Sequence, residues 1–393
     1  MRPARLGAAA RPAIALAVCL SAPATLAQSQ LTLDWPAMAR AVVARLAPEP
    51  GERILIVAHP GIFERFIPHL RYALVEAGAV DLGVVDVLEE PVPGDWNLEA
   101  LRRNQRASRA AYRRMFGEVD GAIMLPGAVP AHPAYGALQD LLNDGRGRTI
   151  HFHWVENGSA YVLPGQPLPA RHVLDATYQR SLLTTDYAAL ATIQRRFEAA
   201  MRGQLVHITS PLGTDLRFRI DDRPVNKQDG DASAARTSTG RILIDREIEL
   251  PAGVVRVAPI EESIDGTIAF PPSQWDGQPV EHLILTFAGG RVVDVTATRG
   301  QEAAEAEFAS APDAARSFRE FALGFNPTLA VPERSPWIPY YGYGSGVVRL
   351  SLGDNSELGG RVTGGYVRWN FFTDLTVTVG DTTWVRDGRL VVE

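Results

Sequence analysis

Residues 51–60, Gly-Glu-Arg-Ile-Leu-Ile-Val-Ala-His-Pro, decide the fold. Arg53 to Ala58 is a short, unbroken apolar run, the pattern of a strand buried on both faces in a parallel sheet. Upstream, Trp35, Met38, Ala39, Ala41, Val42, Val43 and Leu46 form an apolar stripe, which predicts a helix over 35–47 ended by Pro48-Glu49-Pro50-Gly51. Downstream, the pattern predicts a helix over 62–77 closed by Gly78, a strand over 80–88, a basic helix over 98–116, a strand over 119–125, a helix over 135–143 and a strand over 149–155. Strands alternating with helices imply an α/β layer with a mostly parallel sheet.

A helix over 187–201 follows, with Gly203 as its cap. Beyond it the pattern changes to short strands over 205–210, 216–220, 240–244, 253–258, 267–270, 282–287 and 291–298. One helical interruption covers 302–321, and strands return over 347–352, 366–372, 375–379 and 389–392. The expected organisation is a leader over 1–27, an α/β domain over 28–204, and a β-rich domain, curled sheet or barrel-like, over 205–393.

The 393 residues carry 39 basic and 45 acidic side chains, a formal charge of −6, and are 46% hydrophobic. This is a globular composition, and its acidic balance argues against nucleic acid as a partner. Lys227 is the only lysine. A phosphate loop of the Walker type needs a Lys after its glycines, and none stands there; a pyridoxal Schiff base would have to use Lys227.

Arg2, Arg5 and Arg11 precede the apolar stretch Pro12 to Leu20 and the small residues Ala22 to Ala27, the layout of a cleavable signal peptide. Val18 before Cys19 makes a poor lipidation signal. Cleavage after Ala27 leaves 36 basic against 45 acidic side chains, −9, and removes the one cysteine. A cysteine-free mature chain suits an oxidising compartment and excludes thiol catalysis. The expected location is periplasmic or secreted, with no membrane association after cleavage.

No HExxH helix, no GxSxG elbow and no GxGxxG between a strand and a helix is present. His151 and His153 alternate on one predicted strand, so they share a face; they read either as two metal ligands or as ordinary strand residues. His59 ends the first strand, where ligands gather in α/β sheets. Gly213-Thr214-Asp215 reads as a turn. Glu261, Glu262 and Asp265 form a carboxylate cluster, suited to acid/base work or a cation but equally to a solvated turn. Tyr-Gly-Tyr-Gly-Ser-Gly, 341–346, reads as a flexible aromatic loop or, less simply, a ligand loop.

Several blocks, in order, carry a resemblance: GERILIVAHP at 51–60, ITSPLGTDLRFRI at 208–220, APIEESIDGTIAF at 258–270, LGFNP at 323–327, RLSLGDN at 349–355, GGYVRWN at 364–370 and the terminal TVTVGDTTWVRDGRLV. In these the chain resembles the aminopeptidase T family of metallo-aminopeptidases, whose relatives include dihydroxypyridine ring-cleaving dioxygenases. The resemblance implies a divalent metal held by a Glu, one or two His and a closing His-x-Asp, and a homodimer.

At those positions this chain departs from the family. The Glu falls on Val254, the first His on Arg349, and the closing His-x-Asp on Arg368-Trp369-Asn370. The Glu before the Gly-x-Asn-Pro turn is missing, Glu320 being the nearest. No histidine follows His282. Arginine stays protonated and cannot ligate a cation.

The expectation is an exported, aminopeptidase-T-like protein with a degenerate metal site and no cofactor, binding or converting a small anionic molecule or peptide. Arg349, Arg368 and Asn370 are expected to converge, with Tyr341, Trp369 and Glu262 beside them, or else the arginines merely pair with Glu261, Glu262 or Asp374. The alternative is a metal-dependent aminopeptidase or hydrolase with relocated ligands among His59, His151, His153, Glu261, Glu262 and Asp265. If it is an enzyme, hydrolase is the expected class. Intact-mass measurement on protein recovered from the periplasm is expected to give a chain starting at Gln28; a mass retaining a lipid-modified Cys19 would replace cleavage by lipidation.

Overall fold

Arg53–Ala58 lies inside a five-stranded parallel sheet, in the order Val80–Asp86, Arg53–Ala58, Gly121–Met124, Arg148–Phe152, Glu247–Leu250. The computed structural model describes residues 32–86, 94–154 and 160–392, so the signal peptide read over 1–27, with Cys19, lies outside the described residues. Alternate side chains of the first strand enter two different cores. Ile54, Ile56 and Ala58 pack with the helices Trp35–Leu46 and Ile67–Glu76. Leu55 and Val57 pack on the other face with the helix Pro133–Asn143 and with Tyr112 and Phe116 at the end of the helix Leu98–Met115. A strand covered on both sides needs apolar residues at every position, which is why RILIVA does not alternate.

Beside two small two-stranded pairs, Ser273–Trp275 with Gln278–Val280 and Trp337–Ile338 with Tyr161–Val162, two large open antiparallel sheets dominate the β-rich part; among the described residues none closes into a barrel. One has five strands in the order Val367–Phe372, Val348–Gly353, Phe318–Gly324, Val254–Val257, Val225–Lys227. The other has eight, with Val206–Thr209 and Asp215–Phe218 near its centre. The helix Tyr187–Met201, capped by Asp186, sends Phe197 between the sheets. Its ring lies 5.2 Å from Phe325 and 4.8 Å from Trp384.

Two local expectations change, and further elements stand outside the predicted set. Gly240 to Ile244 is not a strand: the Asp245 carboxylate accepts from the backbone N–H groups of Arg241 and Ile242, curling the chain into the turn Leu243–Asp245. The helix expected over 302–321 covers only Gln301–Ser310. Pro312 lacks the N–H a continuing helix needs, and Phe318–Gly324 is a fully buried central strand. The helix Arg171–Thr184 gives no clear apolar stripe because its buried face includes Thr177 and Ser181. Glu247–Leu250, far down the chain, completes the parallel sheet beside Arg148–Phe152. Thr32–Glu393 cluster as one compact unit.

Tyr341 to Gly346 is not loose. Tyr340 and Tyr343 are buried, and a Cβ on Gly344 would stand 1.9 Å from the Leu329 carbonyl oxygen. Asn326 of LGFNP ties this region together, donating through Nδ2 to Ala252 O at 2.7 Å and to Thr185 Oγ1 at 3.0 Å. Replacing Phe197 with Ala is expected to cost about 3–5 kcal/mol, the usual cost of emptying an aromatic core site, read as a lowered urea midpoint at unchanged slope.

Candidate functional site

A cleft of about 600 Å³ opens where the carboxyl end of the parallel sheet meets one face of the five-stranded antiparallel sheet. The parallel sheet supplies His151, His153, Glu247 and Glu249; the antiparallel sheet supplies Arg256, Arg349 and Trp369; Tyr341 and Tyr343 stand between them.

The acidic wall follows from register. His151 lies opposite Glu249 in the parallel pair, and Glu247 lies two residues before Glu249. Side chains two apart on a strand share a face. Tyr135 donates to Glu247 Oε1 at 2.8 Å, and its hydroxyl lies 2.8 Å from His151 Nδ1. The His151 and His153 rings are tilted against one another with centroids 3.6 Å apart. Burial pushes His153 down to about 3 and His151 well below its usual range, so both imidazoles are neutral at pH 7. Burial pushes Glu247 the other way, up to about 7, against the Tyr135 hydrogen bond. Glu249 accepts from the hydroxyls of Tyr343 and Tyr340.

The basic wall is built around Glu320, which is wholly buried. Arg349 Nε donates to its Oε1 at 2.6 Å, and Arg256 donates to its Oε2 from Nε and Nη2 at 3.2 and 3.0 Å. Arg256 also reaches Glu357 at 2.9 Å, and Arg319 pairs with Glu357 as well. Burial alone would raise Glu320, but Arg256, Arg349 and Arg319 overcome it and hold the carboxyl far below the usual carboxylate range. Arg349 Nη1 donates to Tyr341 O at 3.1 Å, and its Nη2 donates to none of the described residues.

The sequence-derived residues divide between two places. Arg349, Tyr341 and Trp369 line the cleft, the two rings edge to face at 5.1 Å. Arg368 and Asn370 do not converge with Arg349. In the antiparallel pair Arg349 lies opposite Phe371, while Asn370 lies opposite Leu350 and Arg368 opposite Leu352, so alternation turns them to the other face. There Arg368 stacks 3.6 Å over Trp275 and pairs with Glu307 at 2.7 Å, and Asn370 Nδ2 donates to Leu350 O at 3.0 Å. Both line a second groove of about 690 Å³, with Trp369 as a wall common to the two. Glu262 is exposed and pairs with Arg361, away from the cleft. The pairing of the arginines is real but with other partners, Glu320 and Glu307 rather than Glu261, Glu262 or Asp374.

Of the relocated-ligand candidates, only His151 and His153 line the cleft. His59 is engaged with Pro60 O at 2.8 Å, and Glu261 accepts from Arg223, Arg361 and Asn355. Among the described residues, no group of three or more His, Cys, Asp or Glu side chains is arranged to hold a metal ion.

Sequence reasoning missed Tyr135, Glu247, Glu249, Arg256 and Glu357. Glu-Ile-Glu-Leu at 247–250 does carry a signal: strict alternation with both carboxylates on one face.

Residues 188–330 match the model of the thermophilic metalloprotease family M29. Two solved structures share the fold. One is 2,5-dihydroxypyridine dioxygenase from Pseudomonas putida KT2440, 14% identical with a TM-score of 0.59, covering 91% of this chain and 97% of that one. The other is wild-type AmpT from Thermus thermophilus, 18% identical with a TM-score of 0.57, covering 91% and 99%. No curated protein matches the chain. The resemblance to the aminopeptidase T family holds.

Glu320→Gln is expected to cost about 3–5 kcal/mol at pH 7, because it leaves buried guanidiniums without their counter-charge. A carboxylate whose folded value is depressed stabilises the fold above the unfolded carboxylate range of about 4.3 and loses that contribution as pH falls through the folded value. The gap between wild type and variant, measured by urea unfolding, is therefore expected to narrow from pH 7 to pH 3.

Proposed function

We propose that this is an exported, aminopeptidase-T-like protein with a degenerate metal site, whose cleft binds or converts a small anionic molecule or a peptide carboxylate without a metal ion. Arg349 carries this reading. It stands at a position the resemblance gives to a metal ligand, it is 3% exposed, and its guanidinium is fixed on Glu320 with Nη2 left over in the cleft.

The neighbouring chemistry supports it. Val254 is apolar, Arg368 is turned away, and both oxygens of Glu320 are already taken by arginines. A divalent ion set beside Glu320 would meet guanidiniums rather than donors, so these residues do not fit one. A planar guanidinium between the rings of Trp369 and Tyr343, 5.6 and 6.0 Å away, fits a carboxylate and gives its carrier apolar walls. The leader pattern supports a periplasmic or secreted location, with no membrane association after cleavage and no nucleic-acid partner. A homodimer comes from the family resemblance.

One observation favours a second reading, a metal-dependent aminopeptidase or hydrolase with relocated ligands. His151 Nε2 and His153 Nδ1 are buried without hydrogen-bond partners. Against it stands the lack of a third ligand among the described residues.

Two measurements test the proposal. After incubation with zinc, iron, manganese or cobalt and desalting, elemental mass spectrometry is expected to find no stoichiometric metal; one equivalent retained would overturn the degenerate-site reading. Benzoate is expected to bind wild type, and Arg349→Met combined with Glu320→Gln, which removes the pair together, is expected to weaken it about 10- to 100-fold, the worth of a charge-assisted hydrogen bond.

A further inference from the structure

Glu247 differs from the other carboxylates of the cleft. Glu320 has Arg256 and Arg349, Glu357 has Arg256 and Arg319, and Glu249 has Arg256 Nη1 at 3.9 Å besides two tyrosine hydroxyls. Glu247 has no cationic partner among the described residues; it is met instead by neutral donors, Gln139 and Tyr135, and Tyr135 in turn meets His151. Four carboxylates, Glu247, Glu249, Glu320 and Glu357, thus face three guanidiniums, Arg256, Arg319 and Arg349. An anion arriving beside Arg349 would add negative charge to a site that already has an excess of it, in surroundings that screen poorly.

We propose that Glu247, relayed through Tyr135 to His151, is the proton-holding group of this cleft, so that a small carboxylate bound at Arg349 is taken up together with one proton, which lodges on Glu247 and leaves when the ligand leaves. This rests on the anion reading above and adds the form in which the ligand is held, as an acid equivalent rather than a bare anion.

The hydrogen bonds allow the transfer without moving a heavy atom. With Glu247 ionised, His151 Nδ1–H donates to Tyr135 Oη and the Tyr135 O–H donates to Glu247. With Glu247 protonated, its O–H donates to Tyr135 Oη, Tyr135 O–H donates to His151 Nδ1, and the ring proton of His151 stands on Nε2. One proton is gained and the chain of bonds reverses. The groups around Glu247 agree with this assignment. Tyr135 and Gln139 face the cleft from the helix Pro133–Asn143, His151 and His153 from the neighbouring strand and its exit, Glu249 from its own strand, Arg256 from the antiparallel sheet and Glu357 from the turn Ser356–Leu358. Burial first, then Glu249 and Glu357, favour the neutral acid near neutrality, whereas burial keeps both histidines from taking the proton.

The relay is tested without a ligand and then with one. Nitrogen NMR of the full chain is expected to show His151 changing tautomer between pH 6 and pH 8, and to show no change in Glu247→Gln or Tyr135→Phe. A wild-type His151 fixed in one tautomer across that range overturns the relay. Calorimetry with benzoate at pH 8, in two buffers of different ionisation heat, is expected to show uptake approaching one proton per benzoate. Affinity should fall about tenfold for each pH unit above neutrality, and Glu247→Gln should bind with neither effect. Benzoate binding with no proton uptake and flat affinity overturns the coupling while leaving the anion reading intact. A tautomer switch with no benzoate binding at any pH from 6 to 9 overturns the anion reading, and the coupling with it.

Discussion

A carboxylate shut away from water must either take a proton or be met by positive charge. Glu320 is met by positive charge, and much of the β-rich half is arranged around that necessity. Its two arginines come from the strands on either side. Arg256 and Arg349 both lie opposite Ala322, and Glu320 lies opposite Ser351. A slip of one residue in either pairing would carry a guanidinium to the other face and leave a bare charge behind. The pairing therefore fixes register across Val254–Val257, Phe318–Gly324 and Val348–Gly353, and register decides that Arg349 and Trp369 reach the cleft while Arg368 and Asn370 do not.

The cleft lies where two kinds of sheet meet. The parallel sheet ends there with neutral imidazoles and an acidic strand; the antiparallel sheet presents arginines and aromatic rings. Between them the chain at Tyr340 and Tyr341 is held at φ of 34° and 47°, left-handed values unusual for tyrosine. Tyr340 and Tyr343 send their hydroxyls to Glu249, and the Tyr341 carbonyl accepts from Arg349. One short turn thus ties the acidic wall to the basic one, and that support holds a backbone most residues would avoid.

The sequence made the α/β layer readable because RILIVA and its neighbours follow burial alone. It made the change to antiparallel strands readable for the same reason. What it concealed was every feature that depends on pairing between distant segments. The alternation of Glu247–Leu250 is legible, but its place in the parallel sheet is not, because its partner strand lies about a hundred residues earlier. Arg171–Thr184 hid because hydroxyl groups fill part of its buried stripe. Glu320 falls within the helix that the pattern predicts over 302–321, whereas as a strand residue it is the centre of the charge cluster. Proximity in sequence suggested that Arg368, Trp369 and Asn370 act together with Arg349; strand alternation gives Trp369 to the cleft and its two neighbours to the other side.

The guanidinium on Glu320 differs from a bound ion in one practical respect. An ion is a separate reagent: the compartment must supply it, loading must follow folding, and a chelator can strip it. Arg349 and Arg256 are translated with the chain, one set per molecule, and reach Glu320 when the strands pair. This carboxylate accordingly finds its counter-charge at full occupancy in any medium where the chain folds, whatever the supply of trace elements.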